Sequence, residues 1–248
     1  MKFISKTTYT CTLLAVSAIL WTTADAATIY ESALPASSGQ GGLDSGATIG
    51  GYSGSGQIYG ARFSISQGVH VDSIGGLFFA QPQGNQPQPY VDDIFGAILR
   101  LASIASFPTG DPFSAAEVVA STVFHVGSTT AHEVITPLSA DLDAGAYALV
   151  FGSGRFGATG IAAAPPSGQS LSAQYIYWGD SSGPTSWHTD GSSGSARFFV
   201  LGTVPEPASA ALLLFGAALC LTRRTLRTHE RIAEPGAAAN CSARHGSC

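Results

Sequence analysis

Between residues 27 and 203, stretches in which apolar and polar positions alternate with a period of two recur along the chain. Tyr59, Ala61, Phe63 and Ile65 alternate with Gly60, Arg62, Ser64 and Ser66, the pattern of a strand with one buried face. Residues 69–79 follow after Gln67-Gly68, and Gly75-Gly76 within them predicts a bulge or bend. Residues 94–101 form a more continuous apolar run. Residues 118–126 alternate again, with Ala120, Thr122, Phe124 and Val126 on one face. Residues 133–138 make a short strand, and residues 145–151 set Tyr147, Leu149 and Phe151 on one side. Residues 175–178 and 197–201 complete a set of roughly eight strands separated by Pro, Gly, Asn and Ser loops. No capped segment repeats apolar residues every 3.6 positions, so crossover helices and a parallel sheet are not expected. No repeat of blade length is present, which argues against a propeller. The pattern predicts an all-β, antiparallel β-sandwich of jelly-roll-like form.

The two ends carry different patterns. Lys2 and Lys6 precede an apolar stretch from Cys11 to Trp21, and Ala24-Asp25-Ala26 supplies small residues at a cleavage position. This is the form of a secretory signal peptide, residues 1–26, removed by signal peptidase after Ala26. At the other end, Val204-Pro205-Glu206-Pro207 leads into an apolar run, residues 208–221, followed by Arg223 and Arg224. The prolines keep the peptide extended where a processing enzyme could grip it. The apolar run partitions into lipid as a single transmembrane helix, and the arginines hold its far end on the cytoplasmic side. Fourteen residues make a helix only ~21 Å long against a ~30 Å hydrocarbon core, so flanking residues contribute or the anchor is weak.

Charge narrows the classes of partner. Lys2 and Lys6 are the only lysines. Between residues 27 and 204 the bases are Arg62, Arg100, Arg155 and Arg197, four against twelve Asp and Glu. A nucleic-acid binder needs a basic face to neutralise phosphates, so that class is excluded. The cysteines, Cys11, Cys220, Cys241 and Cys248, all lie outside this stretch. An exported domain without cysteine is held by its core, and it has no thiolate nucleophile.

The order Pro-Glu-Pro, apolar helix, arginine pair closely resembles the PEP-CTERM sorting signal, an element also named after an ice-binding-protein C-terminal domain. The resemblance implies that a membrane-embedded exosortase of a Gram-negative, exopolysaccharide-making bacterium recognises the tail and cuts near Pro205, Glu206 and Pro207. It implies the stop at Arg223 and Arg224. Family members usually end soon after the basic cluster, whereas this chain continues to Cys248. A second resemblance rests on Arg62-Phe63-Ser64-Ile65, Ile74-Gly75-Gly76 and the segment from Leu142 to Val150, which are similar to strands of jelly-roll domains common in such proteins. The implied organisation is a signal peptide (1–26), an exported sandwich domain (27–203), a sorting signal with its transmembrane segment (204–227) and a disordered cytoplasmic tail (228–248). The implied location is the inner membrane before sorting, then the periplasm, cell surface or exterior.

Candidate chemistry within the domain is sparse. His132-Glu133 and His188 with Asp190 are the acid–base or metal candidates, although neither pair has helical ligand spacing. Asp92-Asp93, Asp141 with Asp143, and Asp180 could offer oxygen ligands to calcium, without the EF-hand pattern. Ser153 and Ser182 lack the Gly-x-Ser-x-Gly elbow, and the glycine-rich residues 39–60 precede a strand rather than a helix. Tyr175, Tyr177, Trp178 and Trp187 could stack on sugar rings, or alternate between core and loop. Rows of Thr-x-Thr suited to ice are missing.

Three functions follow from these residues. The first is a non-enzymatic envelope or exopolysaccharide-matrix protein with no cofactor. The second is a glycan-binding module using the aromatic group, with extracellular polysaccharide as its partner. The third is a secreted hydrolase using His132, Glu133, His188 or Asp190.

Overall fold

The computed structural model describes residues 27–35, 47–50, 57–80, 93–167, 169–171, 174–179, 186–190 and 196–204, together with Gly216. All but Gly216 belong to one compact unit, Met1–Pro205. The expected signal peptide, the sorting residues beyond Val204 (Pro205, Glu206, Pro207, Arg223 and Arg224) and the tail 228–248 lie outside the described residues. Among the described residues, no helix is long and apolar enough to cross a membrane.

The described residues contain the strands β1 (Ala27–Glu31), β2 (Ala47–Ile49), β3 (Ile58–Ile65), β4 (Val69–Ala80), β5 (Ile94–Leu101), β6 (Val118–Phe124), β7 (His132–Leu142), β8 (Gly145–Gly152), β9 (Ala162–Ala164), β10 (Gln174–Gly179), β11 (Ser186–Thr189) and β12 (Phe198–Thr203). A 3-10 turn, Ala115–Glu117, precedes β6. The strands form two antiparallel sheets in a curled, sandwich-like fold. Sheet one runs β1-β12-β4-β9-β2, with β7 on the opposite edge of β4. Sheet two runs β11-β10-β3-β8-β5-β6.

Alternation explains the core between the sheets. Tyr59, Ala61 and Phe63 of β3 and Tyr147, Leu149 and Phe151 of β8 meet Ile74 and Phe78 of β4 and Phe198 and Val200 of β12. The rings of Phe78 and Phe151 lie 4.9 Å apart, and those of Phe151 and Phe198 lie 5.0 Å apart. Such offset or edge-on aromatic pairs add to the apolar burial. The opposite face of sheet two is also covered. Ile58, Phe95, Ala97, Leu99, Ala148, Val150 and Ile176 pack beneath residues such as Phe113 and Ala158 from the β5–β6 and β8–β9 connections. The continuous apolar run of β5 has this cause: both of its faces are buried.

All eight segments expected from the sequence are strands. Three details differ. Gly75 and Gly76 are not the site of a bend, because β4 continues through them. Their role is close approach: a Cβ at Gly75 would lie 2.3 Å from the Val134 carbonyl oxygen and 2.6 Å from the Phe199 ring. The irregularity in β4 falls between Val71 and Ser73, opposite Pro137 of β7. Strand β7 is eleven residues long rather than short. Pro137 is tolerated there because β7 is an edge strand, where a missing N–H breaks no ladder. Strands β1, β2, β9 and β11 were not anticipated; β9 is Ala162-Ala163-Ala164, whose uniform side chains carry no alternation to read.

Candidate functional site

The fold separates the acid–base candidates. His132 and Glu133 begin β7, on one lateral edge of sheet one. His188 lies on β11, the edge of sheet two furthest from β6, and Asp190 follows it. The first pair thus lies on a strand of sheet one and the second at the far edge of sheet two. Each candidate also has a structural partner. Glu133 accepts a hydrogen bond from Arg197, and His132 Nδ1 lies 3.1 Å from the Thr130 carbonyl oxygen. His188 Nε2 lies 2.8 Å from Ser186 Oγ, and Asp190 accepts a 2.9 Å hydrogen bond from the Tyr59 hydroxyl. The four residues do not converge on one reacting atom, as shared catalysis requires.

The calcium candidates are also apart. Asp93 precedes β5, whereas Asp143 lies near Arg100 at the far end of that strand. Eight residues of strand, roughly 25 Å, lie between them. Asp93 lies 3.1 Å from His125, and Asp141 lies 2.6 Å from His70. Asp92 and Asp180 lie outside the described residues. Among the described residues there is no group of three or more His, Cys, Asp or Glu that could hold a metal ion. Ser153 is buried.

The aromatic candidates divide between the two faces of sheet two. Tyr175 and Tyr177 of β10 turn toward the core between the sheets. Trp178 and Trp187, paired across β10 and β11, turn into the second cluster. Tyr175, Trp178 and Trp187 are 2%, 7% and 9% exposed, so their ring faces are taken up by protein. Tyr177 is half-buried and stacks on His188 at 5.1 Å. The four rings therefore do not form one sugar-stacking surface. Trp187 instead donates from Nε1 to the Pro112 carbonyl oxygen at 2.5 Å, holding down the β5–β6 connection. Replacing Trp187 by Phe keeps an aromatic ring but removes this bond. It is expected to lower the unfolding free energy by about 1 kcal/mol in chemical denaturation, with unchanged retention on polysaccharide.

Three arginines hold parts of the fold together in a way that alternation does not mark. Arg62 Nη1 donates to the carbonyl oxygens of Ala105 and Ser106, at 2.8 and 3.3 Å, while its guanidinium lies 5.0 Å from the Phe107 ring centre. Arg155 donates to the Asp111 carbonyl and covers Phe113 at 4.9 Å. Both clasp the connection that seals the outer face of sheet two. Burial lowers the Arg62 pKa from its usual value. Arg197 sits between Glu31 of β1, 2.6 Å away, and Glu133 of β7, and covers the Phe199 ring at 4.9 Å. Burial opposes its charge, but the two carboxylates outweigh that effect and raise its pKa. The available signal was scarcity: a domain with four arginines uses three against aromatic rings.

His70 supplies a pH-dependent contact. Its hydrogen bond to Asp141 raises the imidazole pKa, with Asp72 adding attraction at 3.6 Å. A histidine whose folded pKa is raised stabilises fully below its unfolded value and loses that contribution as pH rises through the folded value. His70→Gln should therefore flatten the dependence of Tm on pH across that window. An NMR titration of the wild-type imidazole should give a midpoint above the usual histidine value.

Comparison with protein-family models finds no match, and comparison with curated proteins finds none.

Proposed function

We propose that this chain is a non-enzymatic exported protein of the cell envelope or exopolysaccharide matrix, sorted by an exosortase through its C-terminal signal. The observation that carries the reading is the position of Val204-Pro205-Glu206-Pro207, the apolar run 208–221 and Arg223-Arg224 directly after the last strand. Strand β12, the last described strand, ends at Thr203, and Val204 is exposed, which is compatible with an accessible motif from Val204 onward. The proposed topology of the exported domain is a jelly roll. Signal peptidase and exosortase would act on this chain as processing enzymes, and the apolar segment would hold it in the inner membrane between the two steps. The separation of His132 and Glu133 from His188 and Asp190, each with a structural partner, supports a role without catalysis in this chain.

The test is fractionation of the producing bacterium with intact-mass measurement, in wild-type cells and in cells lacking the exosortase gene. The wild-type product is expected to lack residues 1–26 and the C-terminal segment. Without the exosortase, the C-terminal segment should remain and the protein should collect in the inner membrane. A full-length product in the cytoplasm, keeping Met1 and Cys248, would overturn the proposal.

A further inference from the structure

Ala27, the expected first residue of the exported form, pairs with Gly202, and Thr28 pairs with Leu201. The expected signal-peptide cut and the sorting motif thus flank neighbouring strands at one end of sheet one. On its other edge β12 pairs with β4, Gly202 with Val71 and Thr203 with His70. Strand β12 is an interior strand: both edges of its backbone are paired as far as Gly202, and Thr203 is paired on the β4 side. The fit is close: a Cβ at Gly202 would lie 2.0 Å from the His70 carbonyl oxygen. Strand β1, by contrast, pairs only with β12 among the described residues. Its pairing edge stays open until the last strand arrives.

Enzymes that capture a peptide as an added strand use main-chain hydrogen bonds along a free edge. A protease gripping the chain in this way needs residues on both sides of the bond it cuts. Once β12 is seated, Val204 is the one residue before Pro205 outside a strand. Before β12 is seated, both the residues after Ala26 and those before Pro205 are accessible.

We propose that docking of β12 closes both processing sites together: the N-terminal cut precedes that docking, and the C-terminal cut competes with it. The identity of the second site rests on the sorting reading above. Each cut is a peptide hydrolysis, in which water adds across the C–N bond to give a carboxylate and an amine, with no other reactant.

The test is a pulse–chase of the full chain in the producing bacterium. The wild type is compared with a chain carrying a six-residue Gly-Ser spacer between Val204 and Pro205. The spacer supplies upstream residues and leaves the contacts of β1 and β12 untouched. The C-terminal cut is expected to run several-fold faster in the spacer chain, with the rate of the N-terminal cut unchanged. Equal or slower C-terminal conversion would overturn the inference while leaving the sorting reading intact. Loss of the C-terminal cut in both chains, with the signal peptide still removed, would overturn the sorting reading and the inference with it.

Discussion

Phe151→Ala is expected to lower the unfolding free energy of the domain by about 3–5 kcal/mol. Phe151 is fully buried on β8, in the middle of sheet two. Its ring meets Phe78 edge-on, Phe198 at 5.0 Å and Phe124 at 6.1 Å, so three strands from two sheets share one side chain. Collapse into the vacated space is hindered because the ring lies over Gly96, which has no side chain to move in. The loss would be a large part of the ~5–15 kcal/mol that holds an ordinary domain together. Urea denaturation should show a lower midpoint at an unchanged slope. A change below about 1 kcal/mol would place the centre of the core elsewhere.

The second large effect is expected at Arg197. Arg197→Ala leaves Glu31 and Glu133 facing each other without a cation and uncovers the Phe199 ring. Breaking a fully buried pair costs about 3–5 kcal/mol, and an exposed pair costs less than about 1 kcal/mol. Arg197 and Glu31 are 14% and 19% exposed while Glu133 is 44% exposed, which places this cluster between the two limits, at about 2 kcal/mol. Lysine should restore less than half of the loss, because its ammonium lacks the planar fork that serves two carboxylates and a ring at once. A double-mutant cycle should give a larger coupling energy for Arg197 with Glu31 than with Glu133. The reverse order would show that the exposed β7 partner dominates.

Much of the fold could be read from alternation, and the misses have definite causes. Tyr147, Leu149 and Phe151 share the face turned to the opposite sheet, as their spacing predicts. The same spacing could not show that Ala148 and Val150 are buried as well, because the covering residues lie in connections distant in sequence. Residues 133–138 suggested a short strand, whereas β7 runs for eleven residues with Pro137 accommodated at an edge. Gly75 and Gly76 suggested a bend, whereas they make room for the Val134 carbonyl and the rings of Phe198 and Phe199. The candidate site was harder to read. Alternation correctly separates Tyr175 and Tyr177 from Trp178, but it does not say that both faces of β10 are covered. The arginine contacts are non-local: Arg62 reaches a carbonyl 43 positions away, and Arg197 reaches a carboxylate 166 positions away. A one-dimensional pattern does not hold such pairings.

Joining the first strand to the last has a kinetic consequence. With β1 pairing to β12, sheet one is completed by contacts that span almost the whole domain in sequence. Folding rate falls as contacts become more remote, because chain entropy is lost before the contacts that compensate for it can form. Refolding from denaturant should therefore take milliseconds to seconds rather than microseconds. During that interval the long β4 would present one uncovered margin to solvent, the part of the domain most open to mispairing.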